Sequence, residues 1–138
     1  MSFAPDTLRK TLMEAFGTTD QPAYGQIATI DPSGFPKVRT VHIHYVKPLD
    51  TLVFNTHVRS PKWQQLKKNP KLSGCYNDPF RGIQFRWDAT VDLIEPDSQR
   101  HAALLDEMWL RMRADVRKAY WIESGVPVPD VSQRQKDL

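Results

Sequence analysis

The segment RTVHIHYVKPLDTLVFNTHVRSPK (Arg39–Lys62) decides the fold and holds the richest chemistry of the chain. Arg39, Val41, Ile43 and Tyr45 alternate with Thr40, His42 and His44, a period of two that belongs to a β-strand with one mainly apolar face. A short turn at Lys47–Asp50 separates it from a second strand, LVFNT (Leu52–Thr56). RSPK (Arg59–Lys62) then opens a helix. Ser60 suits the N-cap, and Pro61 suits the first helical position, where a missing N–H costs nothing.

A helix N-terminus presents unpaired backbone N–H groups and the positive end of the macrodipole, and here Arg59 and Lys62 add full charges to it. This chemistry suits an anion, most naturally a phosphate. Arg39, at the head of the preceding strand, supplies a planar fork able to grip two phosphate oxygens at once. Basic residues beside a helix are more often a solvated face. Here they are concentrated: residues 31–70 carry seven Lys and Arg against two Asp, a net +5, whereas the whole chain carries +3. The rest of the chain is therefore net acidic.

With 138 residues, 40% hydrophobic and 25% charged, the chain is expected to form one globular domain with enough apolar material for a core. The one cysteine, Cys75, excludes an internal disulfide. MSFAPDTLRK at the N-terminus lacks the apolar run of a signal peptide, and no stretch is apolar enough for a membrane span. The expected location is the cytoplasm, with no membrane partner. A net charge of +3 is weak for a nucleic-acid binder. A basic nucleic-acid module built on the Arg39–Lys68 patch remains the reading of a different class, and a steep salt dependence would mark it.

Taken in order, Pro5–Phe16 has Leu8, Leu12, Met13 and Phe16 at helical spacing, with Gly17 just past its end. Tyr24–Ile30 reads as a strand. Asp31, Pro32, Ser33 and Gly34 fit a type I turn leading into the strand Lys37–Val46. Pro61–Lys68 is a short helix halted by Asn69 and Pro70. Leu72–Tyr76 reads as a fourth strand and Ile83–Ile94 as a long fifth, with Phe85, Trp87, Ala89, Val91 and Leu93 on one face. From Asp97 to Ile122 the period becomes helical, with Leu104, Leu105, Met108, Met112, Val116 and Tyr120 on one core-facing stripe. The domain is drawn at 1–124, and 125–138, with two prolines and many polar residues, is expected to be an extended or disordered tail.

Strands joined by hairpins, with helices between and around them, predict an α+β, mainly β architecture: an antiparallel sheet or small barrel. Signatures of dinucleotide-binding, P-loop and α/β-hydrolase folds are missing from the sequence.

Several motifs in series carry a resemblance: A-T-x-D-x-x-G-x-P-x-V-R-T-V (Ala28–Val41), F-N-T (Phe54–Thr56), R-S-x-K (Arg59–Lys62), K-N-P (Lys68–Pro70) and Q-F-R (Gln84–Arg86). In this order and spacing they resemble the pyridoxamine 5'-phosphate oxidase-like FMN-binding split-barrel family. AYWIESGVP (Ala119–Pro127) resembles the segment after the last helix in its cyanobacterial and plant-type branch. The resemblance implies a split β-barrel of antiparallel strands with flanking helices, FMN as cofactor, and a homodimer sharing each flavin between subunits.

By that resemblance Arg39 and Lys62 bind the FMN phosphate together with Ser60 and Arg59. The backbone of Arg39, Thr40, Val41, His42 and Ile43 faces the isoalloxazine edge, Asn55 and Thr56 line the ribityl and phosphate end, and Gln84 reaches the flavin across the dimer. The implied function is an FMN-dependent oxidoreductase with a small-molecule substrate. The alternative is a flavin- or haem-binding protein without turnover.

Departures from the family pattern point away from pyridoxamine 5'-phosphate oxidase activity itself. His44 stands where those oxidases place a Lys, and their substrate-phosphate residues have no counterpart. The family's final strand is also not matched, so the resemblance implies an open barrel edge for the tail or a partner to cover. His44 is the candidate catalytic residue, since an imidazole titrating near neutrality suits proton exchange with reduced flavin. His42 and His44 could ligate a metal, but no Cys or carboxylate stands beside them at ligand spacing, so no metal site is assigned. Trp63, Trp87, Trp109 and Trp121 are expected to anchor core and interface, and Cys75 to be inert.

Overall fold

The computed structural model describes residues 5–18, 21–122 and 134. The chain forms two compact units: one holds the chain up to Phe54 plus Gln65–Val91, the other Asn55–Gln64 plus the chain from Asp92 onward.

The first unit is built on a five-stranded sheet: β1 (Ala23–Ile30), β2 (Pro36–Val46), β3 (Thr51–Val53), β4 (Lys71–Asp78) and β5 (Ile83–Thr90). Its order is β3-β2-β1-β4-β5, and every neighbouring pair is antiparallel. This is the expected α+β class with an antiparallel, split-barrel type of sheet.

Local chemistry sets each hairpin. Between β1 and β2, Gly34 N–H donates to the Asp31 carbonyl at 3.0 Å, and Asp31 Oδ1 accepts the N–H groups of Ser33 and Phe35, both at 2.9 Å. Gly34 takes φ 86°, where a side chain would be strained. Between β2 and β3 a 3-10 turn, Lys47–Leu49, ends at Asp50 in the left-handed region. Asp50 accepts the Tyr45 hydroxyl at 2.7 Å and Arg9 Nε at 3.0 Å. Arg9 first, then Tyr45, hold its carboxyl below the usual aspartate value.

Register places Ile27 opposite both Arg39 and Gly74, Gly74 opposite Trp87, and Tyr76 opposite Phe85. These residues share one face with Val41, Ile43 and Tyr45, because alternate side chains point the same way. Onto it α1 (Pro5–Phe16) lays Phe16, 1% exposed, with ring centroids 5.1 Å from Tyr76 and 5.1 Å from Phe85. Burying such a ring contributes about 1.5–3 kcal/mol.

The second unit contains the loop after β3, the first turn of α2 (Pro61–Lys68), and the helices α3 (Ala102–Arg111) and α4 (Ala114–Ile122). Trp63, Met108, Trp109 and Met112 are buried in it. No helix among the described residues is long and apolar enough to cross a membrane.

Three expected elements are corrected. The third strand, expected over Leu52–Thr56, is Thr51–Val53; beyond it Asn55 gives its side chain to the Met108 carbonyl and Thr56 its hydroxyl to the Ser60 group instead of continuing the ladder. The fifth, expected to Ile94, ends at Thr90. Its neighbour begins after Pro70, which has no N–H for a further rung; Val91 N–H still reaches the Pro70 carbonyl at 2.8 Å. The helix expected from Asp97 to Ile122 starts at Ala102 and breaks at Met112, whose ψ of 143° is extended. Val116, placed on the core stripe, is 42% exposed. The expected tail lies outside the described residues apart from Arg134, whose Nε donates to Asp106 at 3.2 Å.

Candidate anion-binding residues

The expected phosphate-binding residues fall in two groups, Arg39 in the first compact unit and Arg59, Ser60 and Lys62 in the second.

In the first unit, β2 carries Arg39 near its start. The alternation of β1 turns Thr29 to the same face as Ile27, and register sets Thr29 opposite Lys37, two residues before Arg39. Arg39 Nη1 donates to Thr29 Oγ1 and to the Lys37 carbonyl, the latter at 2.7 Å. Nη2 donates to Gln65 Oε1 at 2.9 Å, and the Thr29 hydroxyl donates to the same oxygen at 2.6 Å. All three acceptors are neutral, and no carboxylate among the described residues pairs with Arg39. Burial pushes the Arg39 pKa down, yet a guanidinium stays charged in proteins. Its positive charge is thus held in place without being compensated by a carboxylate of the described residues.

In the second unit, the cluster forms around the start of α2. Ser60 is the N-cap as expected: its Oγ accepts Trp63 N–H at 3.3 Å, and its carbonyl accepts Trp63 and Gln64 N–H. Ser60 Oγ lies 2.9 Å from Thr56 Oγ1, which accepts Lys62 Nζ at 2.6 Å. His57 closes the turn by accepting Arg59 N–H on Nδ1 at 3.0 Å. Asn55 Nδ2 donates to the Met108 carbonyl at 3.2 Å, so it also braces α3. Thr56, Ser60 and Lys62 therefore meet in one hydrogen-bonded group, while Arg59 stands exposed.

The remaining candidates lie along β2 and on β5. Val41 and Ile43 are buried on the Arg39 face; Thr40, His42 and His44 occupy the other face. His44 is 1% exposed, and its ring centroid lies 3.9 Å from that of His42. Burial pushes the His42 pKa down. Its Nε2 is buried without a hydrogen-bond partner among the described residues. Gln84 is exposed on β5, with β1 and β4 between it and β2. Phe85, not Gln84, shares the face of Arg39, so Gln84 and Arg39 of one sheet, three strand spacings or about 14 Å apart along it, turn to opposite faces.

Thr29 and Gln65 were not legible as site residues. Thr29 is a polar residue on an otherwise apolar face of β1, which is the one signal it leaves. Gln65 leaves none, since its pairing with Arg39 is set by tertiary structure.

An antiparallel five-stranded sheet with a caged arginine near the start of β2 and a capped, lysine-flanked helix after β3 defines the class as a split-barrel type of protein. The chain belongs to the pyridoxamine 5'-phosphate oxidase family, whose family model matches residues 12–134. It is similar to a pyridoxamine 5'-phosphate oxidase-related, FMN-binding protein from Nostoc punctiforme, at 25% identity and a TM-score of 0.72 over 98% of this chain and 77% of that one. Two further solved structures share the fold alone. One is a conserved hypothetical protein from Mycobacterium tuberculosis, at 13% identity and TM-score 0.59 over 91% and 76% of the two chains. The other is HutZ, a haem storage protein from Vibrio cholerae, at 18% identity and TM-score 0.54 over 99% and 85%. Among curated protein sequences, nothing matches it.

Proposed function

We propose that this protein is an FMN-binding flavoprotein, an FMN-dependent oxidoreductase that acts on a small-molecule substrate as a cytoplasmic homodimer. The observation that carries the reading is the Arg39 guanidinium, fixed by three neutral oxygens and matched by no carboxylate among the described residues. A part-buried guanidinium with free N–H groups is suited to an anionic ligand, since charge-assisted bidentate bonds are the strong ones. The Thr56, Ser60 and Lys62 group adds a hydroxyl pair, an ammonium and a helix N-terminus, the donor chemistry that a phosphate monoester requires. Family membership and the FMN-binding relative from Nostoc punctiforme support the choice of flavin.

In this reading Arg39, Lys62, Ser60 and Arg59 bind the phosphate, with Asn55 and Thr56 toward the ribityl chain. The β2 backbone from Arg39 through Thr40, Val41 and His42 to Ile43 lies along the ring. Bound FMN would supply hydride and electron transfer, and the protein would hold and tune it. His44, sheltered from solvent, serves as the proton-exchanging group. Gln84 comes from a second copy, because the sheet order keeps it away from Arg39 of its own chain.

The test is purification followed by an absorbance spectrum, mass identification of the bound small molecule, and light scattering. A yellow dimer carrying FMN is expected. A protein that neither co-purifies with FMN nor quenches FMN fluorescence on titration overturns the reading, and a monomer that retains FMN overturns the shared site.

A further inference from the structure

The bonds around Arg39 do more than hold a charge. Nη1 donates to Thr29 Oγ1, Thr29 Oγ1 donates to Gln65 Oε1 at 2.6 Å, and Gln65 Oε1 accepts Nη2 at 2.9 Å. These contacts close a ring across the end of the guanidinium that carries Nη1 and Nη2. The Lys37 carbonyl, 2.7 Å away, takes the remaining capacity of Nη1. Five N–H groups minus three bonds leaves two: Nε–H and the second Nη2–H. They lie parallel along one edge of the plane, at the spacing that grips two oxygens of a phosphate or carboxylate. Among the described residues Nε makes no hydrogen bond, and it is not one of the buried unpartnered atoms, so it keeps contact with solvent. Thr29 is 0% exposed, which makes the support behind the fork rigid.

We propose that Thr29 and Gln65 are positioning residues that turn the Nε–Nη2 edge of Arg39 outward as a bidentate receptor for a phosphate monoester. The neutrality of Gln65 leaves that edge its full charge. The inference rests on the FMN reading and deepens it by naming what makes the site selective for a phosphorylated flavin. A carboxylate at position 65 would have nearly the same shape but would neutralise the guanidinium from behind, and an apolar side chain would let it rotate.

The experiment uses isotopically labelled full-length protein. The Arg39 Nε–H signal is identified by its loss in Arg39→Lys and followed during titration with inorganic phosphate. FMN and riboflavin binding are measured by fluorescence on the parent, Gln65→Glu and Gln65→Met. Saturable movement of the Nε–H signal by phosphate is expected in the parent. In Gln65→Glu, FMN affinity should fall by about tenfold or more, the scale of a lost charged hydrogen bond, with riboflavin affinity and melting temperature preserved. Gln65→Met should lose FMN affinity by less. A Nε–H signal indifferent to phosphate, or a Gln65→Glu protein that binds FMN as the parent does, overturns the inference. If phosphate moves the signal while FMN does not bind, the fork stands and the flavin reading falls.

Discussion

Lys62 Nζ donates to Thr56 Oγ1 at 2.6 Å, and the same hydroxyl lies 2.9 Å from Ser60 Oγ. The ammonium is thereby drawn to the N-cap of its own helix, where it adds to the positive end of the dipole. Lys62→Ala and Arg39→Ala are each expected to weaken FMN binding by about 1.5–3 kcal/mol, the scale of a charged hydrogen bond, while riboflavin binding changes little. Titration by fluorescence quenching reads both; equal losses for the two flavins would remove the phosphate from the argument.

Ser60 carries two separable duties, capping α2 and presenting donors. Ser60→Ala removes the Oγ that accepts Trp63 N–H and should cost about 1 kcal/mol of stability. Ser60→Asp keeps the cap but adds a negative charge where the ligand's charge belongs. Denaturant unfolding should therefore rank Ser60→Asp close to the parent and above Ser60→Ala. FMN affinity should fall further in Ser60→Asp, and the reverse order of affinities would show that Ser60 serves only the helix.

Elements whose ends are punctuated were legible. α1 and α2 run Pro5–Phe16 and Pro61–Lys68 as read, because Gly17, the Ser60–Pro61 start and the Asn69–Pro70 stop act within a few residues. The break at Met112 was hidden, since neither Gly nor Pro marks it and the apolar stripe continues across. Alternation along β2 identified the strand and its apolar face, but a period of two does not say whether the second face is also covered, so the burial of His44 escaped it. Arg39, Ser60 and Lys62 could be singled out by charge and capping chemistry. Thr29 and Gln65, 36 residues apart, meet only because β1 pairs with β2 and the chain returns through α2.

Gly74 is needed for space. A Cβ there would fall 2.2 Å from Trp87 Cε2 and 2.3 Å from Cζ2, so the indole lies flat against the bare backbone of β4. Gly74→Ala must push the ring off its cross-strand partner and away from Phe16, whose ring centroid is 6.4 Å distant. A loss of about 1–3 kcal/mol is expected from such overpacking. Urea unfolding followed by tryptophan fluorescence measures it, and replacing Trp87 by Leu in the same chain should recover part of the loss. Unfolding of Gly74→Ala indistinguishable from the parent would mean that the indole does not rest on β4.

The turn between β4 and β5 predicts an acid limit to stability. Burial opposes ionisation of Asp78, which is 1% exposed, but the Arg81 guanidinium at 2.8 Å and the N–H groups of Phe80 and Arg81 outweigh it and hold the carboxyl below its ordinary value. A depressed carboxyl stabilises the fold above its unfolded pKa, about 4, and that contribution is lost as pH falls through the lower folded value. Arg81→Met removes the guanidinium bond and its charge while burial stays, so the carboxyl should rise from its depressed value and the variant should be less stable than the parent at neutral pH. Because protonation relieves the variant and penalises the parent, the gap between their melting temperatures should close on acidification below about pH 4. A gap that stays constant from neutral pH to pH about 3 would show that Arg81 acts on the turn by packing and not through the charge of Asp78.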